Sequence, residues 1–289
     1  MKETNNNYIS DDEVTILGGS EWKPGRKSGK KKVNRWMILS ICLAGALTGV
    51  AIFFSIRHFA HITEFVQSRN EAEVIASLNT PMPGMPGVSV TTEEALGVKM
   101  KIYKLSGLKA HFADTVPQLA DSSVYFVSRG PDYKIVDNIR KDIGDFVLDG
   151  QPMASSNWRA GFMAIVDGNA QIGISRSNSI LKHVLAQKGS MFRQLSLVSA
   201  GLKCPKQYIL KGKVTRCAYA LRNGSLNFIE TQAPETLHGF ADALIELGFI
   251  DAIYITGGSQ PDCFYRTSDG TAHGNFIDDK SHRMVVWTK

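Results

Sequence analysis

The apolar positions change period several times along the chain, and each change marks an element. From Trp36 to Ile56 the run WMILSICLAGALTGVAIFFSI is apolar on every side for 21 residues, broken only by the hydroxyls of Ser40, Thr48 and Ser55. A helix rising about 1.5 Å per residue crosses the ~30 Å hydrocarbon core of a bilayer in that length, whereas a helix in a soluble core keeps a polar face. The run is therefore predicted to be a transmembrane helix. Beyond it, Phe59, Ile62, Phe65, Val66, Val74 and Leu78 recur at roughly helical spacing and predict a stalk helix within residues 57–78. NTPMPGMPG, residues 79–87, is a Pro/Gly linker that sets the boundary of a folded domain at residue 88.

Within 88–289 short apolar runs alternate with turn residues. GFMAIVDGNAQIGIS (161–175) reads as strand, Asp167-Gly168 turn and strand, and RCAYALRNGSLNFIET (216–231) repeats the scheme around Asn223-Gly224. NSILKHVLAQKG (178–189) has a helical period with Gly189 as its stop. A second helix places Leu237, Phe240, Ala241, Leu244 and Ile245 on one face, with Pro234 near its first turn and Gly248 after its end. FIDAIYI (249–255) is then a short buried strand. Hairpins outnumber helical crossovers, so the predicted class is α+β: a largely antiparallel twisted sheet with a few packed helices, preceded by one transmembrane helix.

Charge placement orients this plan. The net charge is +6, but eight of the 33 Lys and Arg lie in the first 35 residues, most of them in KPGRKSGKKKVNR (23–35). Basic residues crowd the N-terminal side of the apolar run, which by the positive-inside rule puts residues 1–35 in the cytoplasm as a disordered tail and exports everything after residue 56 to the periplasm or the extracellular space. The tail is read as topogenic and not as a nucleic-acid arm. The run exceeds a signal-peptide core and closes on no small-residue cleavage site, so it is read as a single-pass anchor. Cys42 lies in the span; Cys204 and Cys217 flank a short basic segment and could pair, leaving Cys263 odd.

Candidate chemistry gathers near the end of the last buried strand. Gly257-Gly258-Ser259 could turn backbone N–H groups toward an anion, but neither GxxxxGK[ST] nor GxSxG is present, so on spacing alone it reads as a turn. Arg216 opens the Asn-Gly hairpin and could offer a bidentate donor to phosphate or carboxylate; alone it is equally a strand-end arginine in water. Asp132, Asp145, Asp149 and Asp262 stand near turns, where Asp is favoured anyway. The seven histidines form no HExxH pair, and no Cys/His spacing suits zinc, so neither metal nor cofactor is expected.

The order of these features says more than any one of them. Residues 196–259, from SLVSAGLKCP to IDAIYITGGS, resemble the phosphodiester glycosidase family, the fold family of the lysosomal uncovering enzyme, whose bacterial members are exopolysaccharide-related. Arg216-Cys217-Ala218-Tyr219-Ala220 stands where that family has Arg-Thr-Ala-Ile-Gly. Leu237 to Gly248 matches its helix, Ala252 to Ile255 its strand, and Thr256-Gly257-Gly258-Ser259 its Asp-Gly-Gly-Gly-Ser. The resemblance implies a glycan or sugar-phosphate ligand, with Arg216 on the phosphate, Thr256, Gly257, Gly258 and Ser259 cradling its oxygens, and Asp262 or Asp132 assisting water. Thr256 replaces the family acid, one glycine is missing, and YFVSRGPDY (125–133) replaces an expected Asn-Gly-Gly-Phe-Phe segment. Two functions follow: hydrolysis of a sugar-1-phosphodiester in envelope or extracellular glycans, or non-catalytic binding of such a polymer by a protein derived from that family.

Overall fold

A computed structural model describes residues 35–62, 67–137, 139–155, 160–175, 177–204, 212–257, 263–274 and 283–289. Two compact units divide at Arg57/His58. In the first, helix α1 (Arg35–Ile62) contains an 18-residue window, Ile38–Ser55, long and apolar enough to cross a membrane and wholly exposed. The same length and apolarity would suit a signal sequence.

The second unit is built from antiparallel sheets throughout. A seven-stranded sheet runs in the order β1 (Gly87–Ala95), β2 (Val98–Ser106), β15 (Ser225–Thr231), β14 (Cys217–Arg222), β16 (Asp251–Ile255), β12 (Ser196–Ser199) and β13 (Leu202–Lys203). A five-stranded sheet follows the order β10 (Asn169–Ile174), β9 (Gly161–Val166), β11 (Ser190–Gln194), β7 (Phe146–Leu148) and β8 (Gln151–Ala154). Another five strands form β18 (Ala272–His273), β17 (Cys263–Arg266), β4 (Val124–Arg129), β19 (Met284–Thr288) and β3 (Lys109–Ala113), and β5 (Tyr133–Val136) pairs with β6 (Ile139–Asp142). The expected antiparallel class is observed, but the strands divide among several sheets; in the largest, β14 takes both β15 and the distant β16 as neighbours.

Local chemistry explains the turns and caps. Asn223 and Gly224 between β14 and β15, and Asp167 and Gly168 between β9 and β10, all have positive φ, as a two-residue hairpin of matching twist requires. Helix α4 (Leu237–Glu246) starts at Thr236, whose hydroxyl accepts the Gly239 N–H at 3.0 Å. It ends at Gly248, where a φ of 81° lets the Gly248 and Phe249 amides return to the Ile245 and Leu244 carbonyls.

The central strands are covered on both faces. Ala218 and Ala220 are small where α4 lays Leu237, Phe240 and Leu244 against the seven-stranded sheet, together with Met100, Ile102 and Ala252. On the opposite face Tyr103, Phe126, Tyr219, Phe228 and Trp287 fill the core. Trp287 Nε1 donates to Tyr219 Oη at 3.0 Å and Ser128 Oγ lies 2.6 Å from the same oxygen, so a buried network ties β4 and β19 to β14. Cys204 and Cys217 remain thiols instead of forming a disulfide: Cys204 Sγ donates to Ser196 Oγ at 3.3 Å, and Cys217 is buried within β14.

The segment read as a stalk is part of this unit. Helix α2 (Glu71–Leu78) is capped by Asn70 Oδ1, which accepts the Ala72 N–H at 2.9 Å, and buries Val74 and Leu78 against Val147, Phe162, Val166 and Met191. The folded unit thus extends upstream of residue 88, because α2 supplies apolar side chains that the β9–β11 surface needs. Helix α3 (Ser179–Ala186) completes that cluster with Ile180 and Val184. Three polar ties accompany α2. Arg69 forms an ion pair with the buried Asp251 and donates to the Ile172 carbonyl at 2.6 Å. Ser199 Oγ reaches the Gln67 carbonyl at 2.7 Å. Glu71 receives the hydroxyls of Ser175, Ser177 and Ser179.

Burial alone would raise the Glu71 carboxyl, but the Ser175, Ser179 and Ser177 hydroxyls and the Arg193 charge outweigh it and hold it below the usual glutamate value. A depressed folded-state value means stability that is present above about pH 4.5 and lost as pH falls through the folded value. Melting temperature followed from neutral to acidic pH should fall more steeply in the wild type than in Glu71→Gln; parallel curves would show that Glu71 takes no part in acid unfolding.

Candidate functional site

The β14–β16 register brings the candidate residues to one end of the seven-stranded sheet. Cys217 pairs with Ile255, so Arg216 and Thr256 emerge side by side as the two strands leave the sheet. Arg216 is only 2% exposed. Its backbone N–H is accepted by Thr231 Oγ1 at 2.9 Å, its Nε donates to the Glu235 carbonyl at 2.9 Å, and its Nη2 donates to the Gly212 carbonyl at 2.7 Å. The guanidinium is thus fixed beside the start of α4, with two of its five N–H bonds given to backbone carbonyls.

Asp132 arrives from the connection between β4 and β5. Its backbone carbonyl accepts the Ile143 N–H at 3.0 Å, and Gly130 N–H donates to the Arg283 carbonyl at 2.7 Å, which anchors the turn at both ends. Thr256 Oγ1 donates to Asp132 Oδ1. A carboxylate therefore stands beside Thr256, supplied from 124 positions away. Threonine can hold this carboxylate but cannot itself titrate as a base near neutral pH.

Gly257 is where the backbone needs glycine. A Cβ there would lie 2.2 Å from the Thr215 carbonyl oxygen and 3.5 Å from Cys217 Sγ, so the exit from β16 runs directly against the segment that leads into β14. Gly258, Ser259 and Asp262 lie outside the described residues.

Tyr254 is the residue that the sequence reading missed. Its ring packs in the α4-side core at 5% exposure, while its hydroxyl is hydrogen-bonded by the Arg216 side chain and the Gly257 backbone N–H. Burial pushes the phenol up, and the Asp132 carboxylate adds to that; the Arg216 charge works the other way without cancelling it. The phenol stays neutral in the physiological range. A signal was present in the sequence: a tyrosine near the end of a buried strand must place its hydroxyl against a polar partner.

The assembly combines a fixed cation, a carboxylate oriented by a hydroxyl, a neutral phenol and a strand exit of closely packed backbone. Such a set can hold an anionic ester and leave a carboxylate beside it to act on water. His238 and His273 are exposed, and Phe162 is core. Asp145 pairs elsewhere, with Arg193 at 2.7 Å. Among the described residues no three His, Cys, Asp or Glu side chains are grouped to share a metal ion.

No protein-family profile and no curated protein matches the chain. Solved structures do. The catalytic domain of zebrafish N-acetylglucosamine-1-phosphodiester α-N-acetylglucosaminidase, auto-inhibited by its pro-peptide, aligns at a TM-score of 0.51 and 10% identity over 72% of this chain and 86% of that one. A hypothetical protein from Synechocystis aligns at 0.46 and 11% identity over 70% and 62%. The chain has the fold of the uncovering-enzyme phosphodiester glycosidases.

Proposed function

We propose that this protein is a membrane-anchored phosphodiester glycosidase that hydrolyses a sugar-1-phosphodiester in envelope or extracellular glycans. The observation that carries the reading is the Asp132 carboxylate held by Thr256 beside Arg216, at the strand exit where the resemblance implies an acid. In this reading α1 is a single-pass anchor with the basic N-terminus in the cytoplasm and the second unit exported. The exposed apolar window and the Lys/Arg cluster before it support that arrangement.

The chemistry is economical. A phosphate monoester is a good leaving group, with a second pKa near 6, so breaking the bond between the anomeric carbon and oxygen needs little acid assistance. What the reaction needs is a cation and donors on the phosphate and a base for the attacking water. In this reading Arg216 supplies the cation and Asp132 the base.

A second reading is favoured by the 2% exposure of Arg216 and its two bonds to backbone carbonyls. An arginine so occupied can serve to hold the fold, which suits a non-catalytic sugar-phosphate binder. The test is a panel of glycosyl-1-phosphodiesters offered to the full chain in detergent, with sugar release and calorimetric binding both measured. Release supports the enzyme, binding without release supports the binder, and neither in any member of the panel removes both readings.

A further inference from the structure

A cleft lies at the far end of the hairpin whose other end carries Arg216. Gly224 in the β14–β15 turn and Leu226 beyond it line one part of it, and the six residues of β14 put about 20 Å of strand between that turn and Arg216. Pro81, Met82 and Pro83, just after α2, line another part. The segment that reads as a linker is here a fixed wall. The Asn79 and Thr80 amides return to the Ala76 and Ser77 carbonyls, each at 3.2 Å, Gly107 N–H donates to the Pro83 carbonyl at 3.2 Å, and Met82 packs against the main core. The cleft is therefore formed before any ligand arrives. It holds about 120 Å³ and opens to solvent. That is close to the ~150 Å³ that takes a benzene ring, so it suits one six-membered ring and not a chain of them.

The polar lining decides what that ring carries. It comes from Ser77, Thr80, Asn169 and Gln171, and no lining residue is charged. Ser77 Oγ donates to the Glu73 carbonyl at 2.8 Å and Thr80 Oγ1 to the Ala76 carbonyl at 3.0 Å. Each hydroxyl has given its one hydrogen, so what it has left to offer is lone pairs. Gln171 Oε1 is buried with no hydrogen-bond partner among the described residues, a cost that an incoming donor removes. The terminal torsion of a glutamine is soft, so this carbonyl can turn to meet one. An anion would bring only acceptors and find no cation, and an ammonium would find no carboxylate. A neutral ring with several hydroxyls brings donors for these oxygens, and its C–H face suits the two prolines and Met82. We propose that this cleft binds one neutral sugar residue, at a site separate from the Arg216 rim and independent of any hydrolysis there. The sugar hydroxyls donate to Ser77, Thr80 and Gln171, while the ring lies against Pro81 and Pro83. A free sugar and the end residue of a neutral glycan share this chemistry.

The full chain, kept in a detergent without a sugar headgroup, is titrated with glucose, galactose, N-acetylglucosamine and maltose, and binding is followed by saturation-transfer NMR. At least one should bind saturably. A bound monosaccharide supports the proposal with a free sugar as ligand, and maltose alone supports it with the end of a chain. Thr80 is exposed, so Thr80→Trp fills the mouth of the cleft without entering the core. It should weaken binding by about 10-fold or more. Gln171→Leu removes the carbonyl and should lower affinity about 3-fold to 10-fold, the worth of one neutral hydrogen bond. Its melting temperature should hold or rise, because an unsatisfied buried oxygen leaves with it, whereas loss of a merely structural glutamine would lower it. Should Gln171→Leu be destabilised, Thr80→Trp decides. Wild-type affinity in both variants would seat the sugar elsewhere and overturn the proposal, as would the absence of saturable binding by any of these sugars. Inorganic phosphate should leave the bound sugar in place; competition by phosphate would move the sugar to the Arg216 rim and equally overturn it. A wild type that binds sugar in the cleft but neither binds nor cleaves a glycosyl-1-phosphodiester at the rim removes the functional reading and leaves this inference standing.

Discussion

Asp132→Asn should lower sugar release from a glycosyl-1-phosphodiester by about 10²- to 10⁴-fold, the range that loss of a positioned general base produces. Asparagine keeps an Oδ1 acceptor for the Thr256 hydroxyl and the backbone bond to Ile143, so the turn between β4 and β5 should survive and the melting temperature should stay within about 2 °C. Affinity for the phosphodiester should hold or rise, because a negative charge has been removed beside an anion. That pattern, turnover lost and binding kept, separates a base from a scaffold. A variant that turns over at the wild-type rate would exclude Asp132 as the base. One that loses binding and stability together would show a residue that only shapes the rim.

A chain beginning at residue 88 should be severely destabilised relative to one beginning at 67. The shorter chain loses Arg69 and leaves Asp251, 1% exposed, with its charge uncompensated; breaking a buried pair in this way costs about 3–5 kcal/mol. It also loses the burial of Val74 and Leu78, each worth about 1.5–3 kcal/mol, and uncovers Phe162 and Met191. Against a typical total of about 5–15 kcal/mol these losses are large. At about 2–4 °C per kcal/mol the melting temperature should fall by roughly 10 °C or more, with increased binding of a hydrophobic dye. Equal melting temperatures for the two chains would show that α2 is an accessory and not part of the core.

The contrast between these two regions shows what the sequence could disclose. The hairpins at Asn223-Gly224 and Asp167-Gly168, the α4 helix with its Thr236 and Gly248 ends, and the buried strand at 251–255 depend on neighbours a few residues apart, and their patterns were readable. Residues 57–78 predict a stalk helix from their own period, and nothing local says what they pack against, because what holds α2 is distant. Arg69 finds Asp251 across 182 positions, and Glu71 finds Ser175, Ser177 and Ser179 more than a hundred residues on. Asp132 was named as a substitute acid, but its pairing with Thr256 follows from the three-dimensional placement of the β4–β5 connection and from no spacing. The cysteine pair looked plausible as a short loop; the fold instead puts both thiols in separate buried places. The resemblance that pointed to the fold rested on the order of hairpin, helix and strand, which survives when individual site residues have changed.

The close approach at Gly257 also limits how this rim could be altered by descent or by design. Any side chain there would be driven into the Thr215 carbonyl, so single substitutions at 257 are closed off before their chemistry is tried. Positions 254 and 256 carry their side chains toward Arg216 and Asp132 without meeting that obstacle. New specificities should therefore be reached through a tyrosine and a threonine that can be exchanged one at a time, on a backbone that has to stay as it is.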